Sequence, residues 1–234
     1  MEGSGDLRIV VVGKTGAGKS STANSILGEN LLRTSCCANS DTATCKAATT
    51  TVDGREITVV DTPGYFSTEC TYENLKPEIA RCIVECVPGP HAFLIVLPVG
   101  RHTEEQNKVV DEILKMFGEG ALKYAVVLFT HGDQLDNDMT IQQFVDDNDH
   151  LKTLVQKCGS RLHVIDNKYW KNPTEGHDDE RSNAAQMKKL MNTIDQMVRQ
   201  NGGKHYTNEM LQAVEQATEV EMAKGKQEKR QKRA

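Results

Sequence analysis

Between Val10 and Gly28 the chain reads VVVGKTGAGKSSTANSILG, and this stretch constrains the fold more than any other. The run Leu7–Val12 is continuously apolar, as a parallel strand covered on both faces requires. It breaks into glycines and lysines, then resumes as a helix-like segment over Ser20–Leu27. Gly13, Lys14, Thr15, Gly16, Ala17, Gly18, Lys19 and Ser20 together fit G-x-x-x-x-G-K-[ST]. Glycines at these places let backbone N–H groups wrap a phosphate that Cβ atoms would hold off. The helix opening near Gly18 points the positive end of its dipole at that anion. Lys19 is expected to bridge the β- and γ-phosphates, Ser20 to bind Mg²⁺ through its hydroxyl, and Ser21 to complete the nucleotide contacts. A dinucleotide fingerprint is excluded, because the spacing is not G-x-G-x-x-G. The break therefore suits a nucleoside triphosphate. By itself it leaves open whether the base is adenine or guanine, and whether phosphate passes to water or to a substrate.

Further elements follow from periodicity. Two β-prone runs flank Asp53-Gly54 in TTTVDGREITVVDTPG, a dipeptide suited to a tight hairpin turn. Glu29–Lys46 is polar and aperiodic, and reads as a loop. Glu73–Val87 reads as a helix with Ile79, Ile83, Val84 and Val87 on one face. HAFLIVLP and YAVVLFT are buried strands, and RLHVI is a short one. Thr103 is placed to cap a helix over Glu104–Phe117 that Gly118 stops. Thr140–Cys158 reads as one helix, with Phe144, Leu151, Leu154 and Val155 facing in. Ala184–Gln200 is a helix with Met187, Leu190, Met191, Ile194 and Met197 on one side, ended by Gly202-Gly203. From Thr207 a weaker amphipathic helix dissolves into a basic tail. Alternating strands and helices with one early hairpin predict an α/β fold: a mostly parallel sheet with one antiparallel strand, and helices on both faces. Ligands on such sheets bind at the carboxyl ends of the strands.

Two more motifs fall at those ends. Asp61-Thr62-Pro63-Gly64 closes the second hairpin strand. An Asp there holds Mg²⁺ through water, and the Gly64 N–H faces a γ-phosphate, so that phosphate loss releases the loop behind it. Thr130-His131-Gly132-Asp133 closes YAVVLFT. Asp133 is expected to accept from guanine N1–H and the exocyclic N2 amine; adenine offers neither donor, and an unpaired carboxylate beneath it would be costly. The commoner guanine motif is N-K-x-D, so Thr130 and His131 replace Asn and Lys. His131 is placed to lie against the base, although on its own it also fits an exposed loop histidine. Asn167, after RLHVI, is placed to line the base from the other side, although an Asn in a turn is common.

VVVGKTGAGKSSTANSILG, VVDTPGYF, GPHAFLIVLPVGRHTEEQ and VVLFTHGD together resemble the AIG1-type GTPases of immunity, the GIMAP family, relatives of the septin and Toc GTPases. The resemblance runs from about Leu7 to Gly202, and the Gly89–Gln106 box makes it more specific than a generic GTPase likeness. It implies a Ras-like P-loop G domain over 7–202, after a polar lead over 1–6 and before a C-terminal helical extension over 203–234. It implies binding of GTP and GDP with Mg²⁺, and nucleotide-dependent homodimers or oligomers, often at intracellular membranes. It also implies Thr42 as the switch threonine that meets Mg²⁺ and γ-phosphate, a choice the residues alone leave open among Thr34, Thr42 and Thr44. Departures from the family pattern are Pro98-Val99 in the box and Asp166 where Asn is common.

Tyr65 follows the DTPG turn where Ras-like enzymes carry a Gln that orients the attacking water, so slow hydrolysis is expected of a single subunit. Arg101 is placed to reach a partner's γ-phosphate in a face-to-face dimer, and it also fits a solvated or capping arginine. Thr42, Gly64 and Arg101 are thus the candidate catalytic residues, and Ser20, Thr42 and Asp61 the candidate metal ligands. The competing function is a GTP-gated scaffold with negligible hydrolysis; a small-metabolite kinase is disfavoured by Asp133 and the DTPG turn.

Composition narrows the partners. Lys224, Lys226, Lys229, Arg230, Lys232 and Arg233 crowd the C-terminus with Glu228 the one acid among them. Removing these seven from totals of 28 basic and 33 acidic residues leaves 22 against 32. An acidic body with a short basic tail does not suit nucleic acid, whereas the tail suits peripheral contact with anionic lipid. Met1–Gly5 lacks the pattern of a secretory signal, no apolar run reaches a membrane span, and the seven cysteines follow no framework spacing. Free thiols and a cytoplasmic location, with contact to intracellular membranes, are the expectation.

Overall fold

The computed structural model describes residues 5–34, 45–62, 82, 84–100, 117–136, 139–167, 182–218 and 220. Six strands form one sheet in the spatial order β2-β3-β1-β4-β5-β6. They are β1 (Leu7–Gly13), β2 (Lys46–Val52), β3 (Arg55–Asp61), β4 (Ala92–Pro98), β5 (Ala125–Thr130) and β6 (Leu162–Val164). Neighbours β3-β1-β4-β5-β6 pair in parallel, and β2 pairs antiparallel with β3. The hairpin turn is the one expected: Asp53 and Gly54 have φ of 49° and 78°, the two positive values that a tight two-residue turn between twisted strands demands.

Side chains alternate between two cores, which explains the unbroken apolar runs. Val10, Val12, Phe93, Ile95, Val127 and Phe129 face one side; Ile9, Val11, Leu94, Val96, Val126 and Leu128 face the other. The helices α1 (Lys19–Leu27) and α4 (Asn183–Gln200) cover the second side with Ala23, Ile26 and Leu27, and with Leu190, Ile194 and Met197. The first side is covered by α3 (Asp149–Lys157), by the 3₁₀ segment Glu119–Tyr124, and by Tyr206 and Leu211. Tyr206 stacks edge-on against Phe93 and donates its hydroxyl to the Phe117 carbonyl. The edge strand β2 alternates half-buried and exposed residues, as an antiparallel edge with one wet face should.

Two helix expectations need correction. Thr140–Cys158 is two helices, α2 (Ile141–Asp146) and α3. Asn148 leaves helical geometry (φ −133°, ψ 112°) and its side chain accepts from the N–H groups of His150 and Leu151. A side-chain cap offers the backbone an alternative to continuing the first helix. Of the segment over 73–87, only 82 and 84–87 are described, and there Cys82 and Cys86 point inward while Val84 is 52% exposed. Thiols one helical turn apart act as the small apolar face that was expected of Val84. Among the described residues, Cys45, Cys82, Cys86 and Cys158 are buried and none is in a disulfide. The helix over 104–117 lies outside the described residues except for Phe117. Among the described residues no helix is long and apolar enough to cross a membrane.

Candidate functional site

The carboxyl ends of β1, β3, β5 and β6 lie on one edge of the sheet, and their loops converge there. Gly13 ends β1 against β4; a Cβ on it would collide with the Val96 carbonyl oxygen. Glycine is thus required where the loop leaves the sheet, before any phosphate is considered. Lys14 and Thr15 are half-buried, Gly16 is exposed and Ala17 is buried, with the Ala17 N–H bonded to the Lys14 carbonyl at 3.1 Å. Gly18 caps α1 in the left-handed region at φ 87°, a conformation natural only to glycine.

Lys19 is 6% exposed, and its ammonium donates to the Lys14 carbonyl at 3.1 Å. Burial pulls it down to about 8, opposed by the nearby Asp61. Ser20 donates to Asp61 Oδ2 at 2.5 Å. Asp61 is 1% exposed, and its Oδ1 has no hydrogen-bond partner in the structure. Burial pushes its carboxyl up, against the pull of Ser20 and Lys19. A desolvated carboxylate oxygen beside a hydroxyl and a buried ammonium lacks a ligand that the chain does not supply. A hard divalent cation with its water shell suits that donor set. Thr62 fixes the strand end by donating to the Val11 carbonyl at 2.9 Å.

The base-side loops are tied to the phosphate loop. Thr130 Oγ1 donates to the Ala17 carbonyl at 2.8 Å and lies 3.1 Å from His131 Nδ1. His131 adopts φ 58° and ψ 47° and opens the 3₁₀ turn Gly132–Gln134. Gly132 donates its N–H to the Ile165 carbonyl at 3.1 Å, which brings Asp133 beside Asp166. Asp133 is exposed, and a hydrogen bond with the Asp166 carboxyl pushes it above the usual carboxylate range. Asn167 is anchored on α1: its amide donates to Thr22 Oγ1 at 3.3 Å and accepts from Ser25 Oγ at 3.2 Å. Its polar atoms are thus engaged by the helix. Ser21 lines a cavity of 290 Å³ with Asn24, Ser25, Glu29 and Thr34 on the outer side of α1.

The structure therefore brings together Gly13 through Ser21, Asp61, His131, Asp133 and Asn167. Thr42, Gly64 and Arg101, with Tyr65, lie outside the described residues. Sequence reading passed over Asn24, Thr22 and Asn183, and it treated Thr130 only as a replacement for Asn. The signal for Thr130 was its place as the last residue of a buried strand, where a hydroxyl must find an acceptor.

The profile of the AIG1 family matches residues 7–226. The chain belongs to the AIG1 family. It is 34% identical over 229 residues to Immune-associated nucleotide-binding protein 9 of Arabidopsis thaliana, covering 93% of this chain and 65% of that protein. It is 30% identical over 203 residues to GTPase IMAP family member 8 of Homo sapiens, covering 87% of this chain and 29% of that protein. This AIG1-family chain thus spans under two thirds of each relative's length. Its fold is similar to that of Toc33 from Arabidopsis thaliana, solved with GDP and Mg²⁺, at 21% identity and a TM-score of 0.64 over 82% of this chain and 84% of that one. The Ras-like P-loop architecture expected from the sequence is thereby established.

Proposed function

We propose that this AIG1-family chain binds GTP and GDP with Mg²⁺ and hydrolyses GTP to GDP and phosphate, slowly as a single subunit. GTP-dependent dimerisation or oligomerisation through the nucleotide-side face stimulates that turnover. One observation carries the reading: half-buried Ser20 bonded to buried Asp61, with Asp61 Oδ1 unpartnered beside the buried Lys19 ammonium. Ser20, Asp61 and Thr42 would hold the cation, and a bound Mg²⁺ would supply positive charge that neutralises the phosphates. Lys19 clamps the same phosphates as a point charge. Asp133 selects guanine over adenine by accepting from two donors that adenine lacks.

The names of the relatives, a nucleotide-binding protein and a GTPase, support this reading. So does Toc33, solved with GDP and Mg²⁺, for which dimerisation is described as important for GTPase activity. Arg101 supplied by a second subunit is the proposed transition-state cation, an effect of about 10³–10⁵ in rate where it operates. Gly64 senses the γ-phosphate and releases the loop behind it when that phosphate leaves. The basic cluster over 224–233 contacts anionic lipid, at about 1 kcal/mol per basic residue near the surface, which suits a cytoplasmic protein peripheral to membranes.

A second reading, a GTP-gated scaffold with negligible hydrolysis, is favoured by Tyr65 in place of a water-orienting Gln. Phosphate release from GTP at low and high protein concentration, with molecular size measured beside it, tests both. Rates that rise with concentration and fall in Arg101→Ala support assisted hydrolysis. Assembly on GTP without phosphate release supports the scaffold. Calorimetry showing ATP held as tightly as GTP would overturn the guanine reading.

A further inference from the structure

Lys46, the first residue of β2, stands directly opposite Asp61 in the antiparallel ladder. Opposed residues of such a pair share a face of the sheet, with Cβ atoms about 5 Å apart. That face is the one α1 covers. Asp61 accepts from Ser20 there, and Ala48 and Val52, two and six positions along β2 from Lys46, pack on the same core. Lys46 is half-buried. Arg55 and Asp195 form the ion pair among the described residues, so no described carboxylate holds the Lys46 ammonium at contact distance. Its charge acts on Asp61, behind the Ser20 hydroxyl and Lys19, and all three favour the anion against burial. Asp61 Oδ1 itself is unpartnered. Lys19 is bonded to the Lys14 carbonyl within the phosphate loop. Lys46 belongs to no phosphate-binding motif and approaches Asp61 from the other flank, on β2.

A positive side chain this close to a metal-holding carboxylate acts with opposite signs on the empty and the filled site. With no cation present it offsets the charge of a desolvated anion. Toward a divalent cation at Asp61 it is repulsive. At about 8 Å even the dielectric of water leaves a factor of about five in affinity, reduced by salt and raised by burial. We propose that Lys46 is a stand-in charge for the metal site, balancing Asp61 when Mg²⁺ is absent and weakening the hold on Mg²⁺ when nucleotide is bound. Lys46 touches neither nucleotide nor metal in this account; it acts through Asp61, as a positioning residue. The inference rests on the Mg²⁺ reading above and deepens it: metal retention, and with it the hold on GDP, is weaker than Ser20 and Asp61 alone would give.

Complexes of the full chain with a fluorescent GDP analogue, prepared in chelator and then titrated with Mg²⁺, read the metal constant. Lys46→Met keeps the stem and removes the charge; Lys46→Arg keeps the charge. Both changes fall on an edge strand with one neighbour. Lys46→Met is expected to bind Mg²⁺ about three- to tenfold more tightly than wild type, and Lys46→Arg to match wild type. The gap is expected to close as salt is raised. Without nucleotide or metal the sign reverses: Lys46→Met melts below wild type and Lys46→Arg does not. A side chain that only held β2 in place would lower both quantities in Lys46→Met. Equal or weaker Mg²⁺ binding in Lys46→Met overturns the inference, as does an empty Lys46→Met chain that melts at or above wild type. Loss of GDP affinity by Lys46→Met in chelator also overturns it, because the ammonium would then be on a phosphate. Mg²⁺ that leaves GDP binding by the wild type unchanged overturns the metal reading as well.

Discussion

Thr130, the last residue of β5, donates its hydroxyl to the Ala17 carbonyl 2.8 Å away, across 113 positions of chain. Its methyl also packs 3.3 Å from where a Cβ on Gly18 would stand. One side chain thus joins the base-reading loop to the phosphate loop, and both are buried at the contact. Replacing Thr130 by Val keeps the shape and removes the donor, leaving a buried carbonyl unsatisfied at about 1–3 kcal/mol. GDP affinity in Thr130→Val should drop roughly tenfold, the factor that 1.4 kcal/mol represents. Calorimetry decides: an unchanged GDP constant would mean the two loops hold their places independently.

Lys19 makes the empty site unstable. Its ordinary value of 10.5 falls to about 8 in the fold, so below pH 8 the folded chain carries the full cost of burying an ammonium. The unfolded chain binds more protons than the folded one between about 8 and 10.5, and stability therefore rises with pH through that window. Lys19→Met keeps most of the stem and removes the charge. Nucleotide-free Lys19→Met should melt roughly 5 °C higher than wild type at pH 7. Saturating GDP should raise the wild-type melting temperature and leave the variant's unchanged, because a ligand stabilises only the state it binds. Thermal scans with and without GDP at pH 7 and 9.5 check both statements.

These two predictions rest on parts of the site with unequal visibility in the sequence. The phosphate loop was legible because its demands are local: a buried strand, glycines where backbone must approach closely, then a helix. The hairpin was legible for the same reason, since Asp53-Gly54 carries its own turn chemistry. The break between α2 and α3 was hidden, because Phe144, Leu151, Leu154 and Val155 keep a helical period on both sides of it, and the half-buried Asn148 takes one position of that same face without interrupting the pattern. The inward face at Cys82 and Cys86 was hidden because thiols were weighed for their reactivity rather than their volume. Asn167 is anchored by Thr22 and Ser25, which are 145 and 142 positions away. No local pattern encodes such a contact, and the pairing of Asp133 with Asp166 is of the same kind.

Two histidines should make the fold acid-sensitive above the range where most carboxylates titrate. His91 Nδ1 accepts from the Arg8 N–H at 3.1 Å, a role that a protonated ring cannot fill. Burial first, then Arg8, holds it down to about 4. His163 Nε2 lies 2.8 Å from Thr193 Oγ1, and burial, then Lys189, holds it down to about 4 as well. Both are neutral in the fold while an unfolded histidine begins to charge near 6.5. Their contribution is complete above 6.5 and is lost as pH falls through the window down to 4, at up to about 1.4 kcal/mol per pH unit for each. Denaturant midpoints between pH 7 and 5 should fall steeply in wild type. The double variant His91→Asn, His163→Gln, which keeps a polar atom near each ring nitrogen, should fall much less; equal slopes would assign the acid loss to other groups.

Asn24 closes the other flank of the nucleotide site. It is buried on α1, one turn beyond Ser20, and its amide makes two bonds to the Leu32 backbone: Nδ2 to the carbonyl at 2.7 Å and Oδ1 from the N–H at 2.8 Å. A side-chain amide here does what a neighbouring strand would do, and it pins the segment over 28–34 that leads toward Thr42. Glu29 and Thr34 of that segment line the cavity beside Ser21. Asn24→Ala leaves both Leu32 groups unpaired and should cost about 2–4 kcal/mol in denaturant unfolding. Asn24→Asp keeps the volume and the acceptor but turns an anionic oxygen onto the Leu32 carbonyl, so it should be at least as harmful despite near-identical shape. Because the pinned segment shares a cavity with Ser21 of the phosphate loop while Lys19 and Asp133 are untouched, GDP dissociation should quicken several-fold in Asn24→Ala with the preference for guanine over adenine preserved. Stopped-flow release of a fluorescent GDP analogue, chased with GDP and separately with ADP, reads both quantities. An unchanged release rate in a destabilised variant would confine Asn24 to holding the fold.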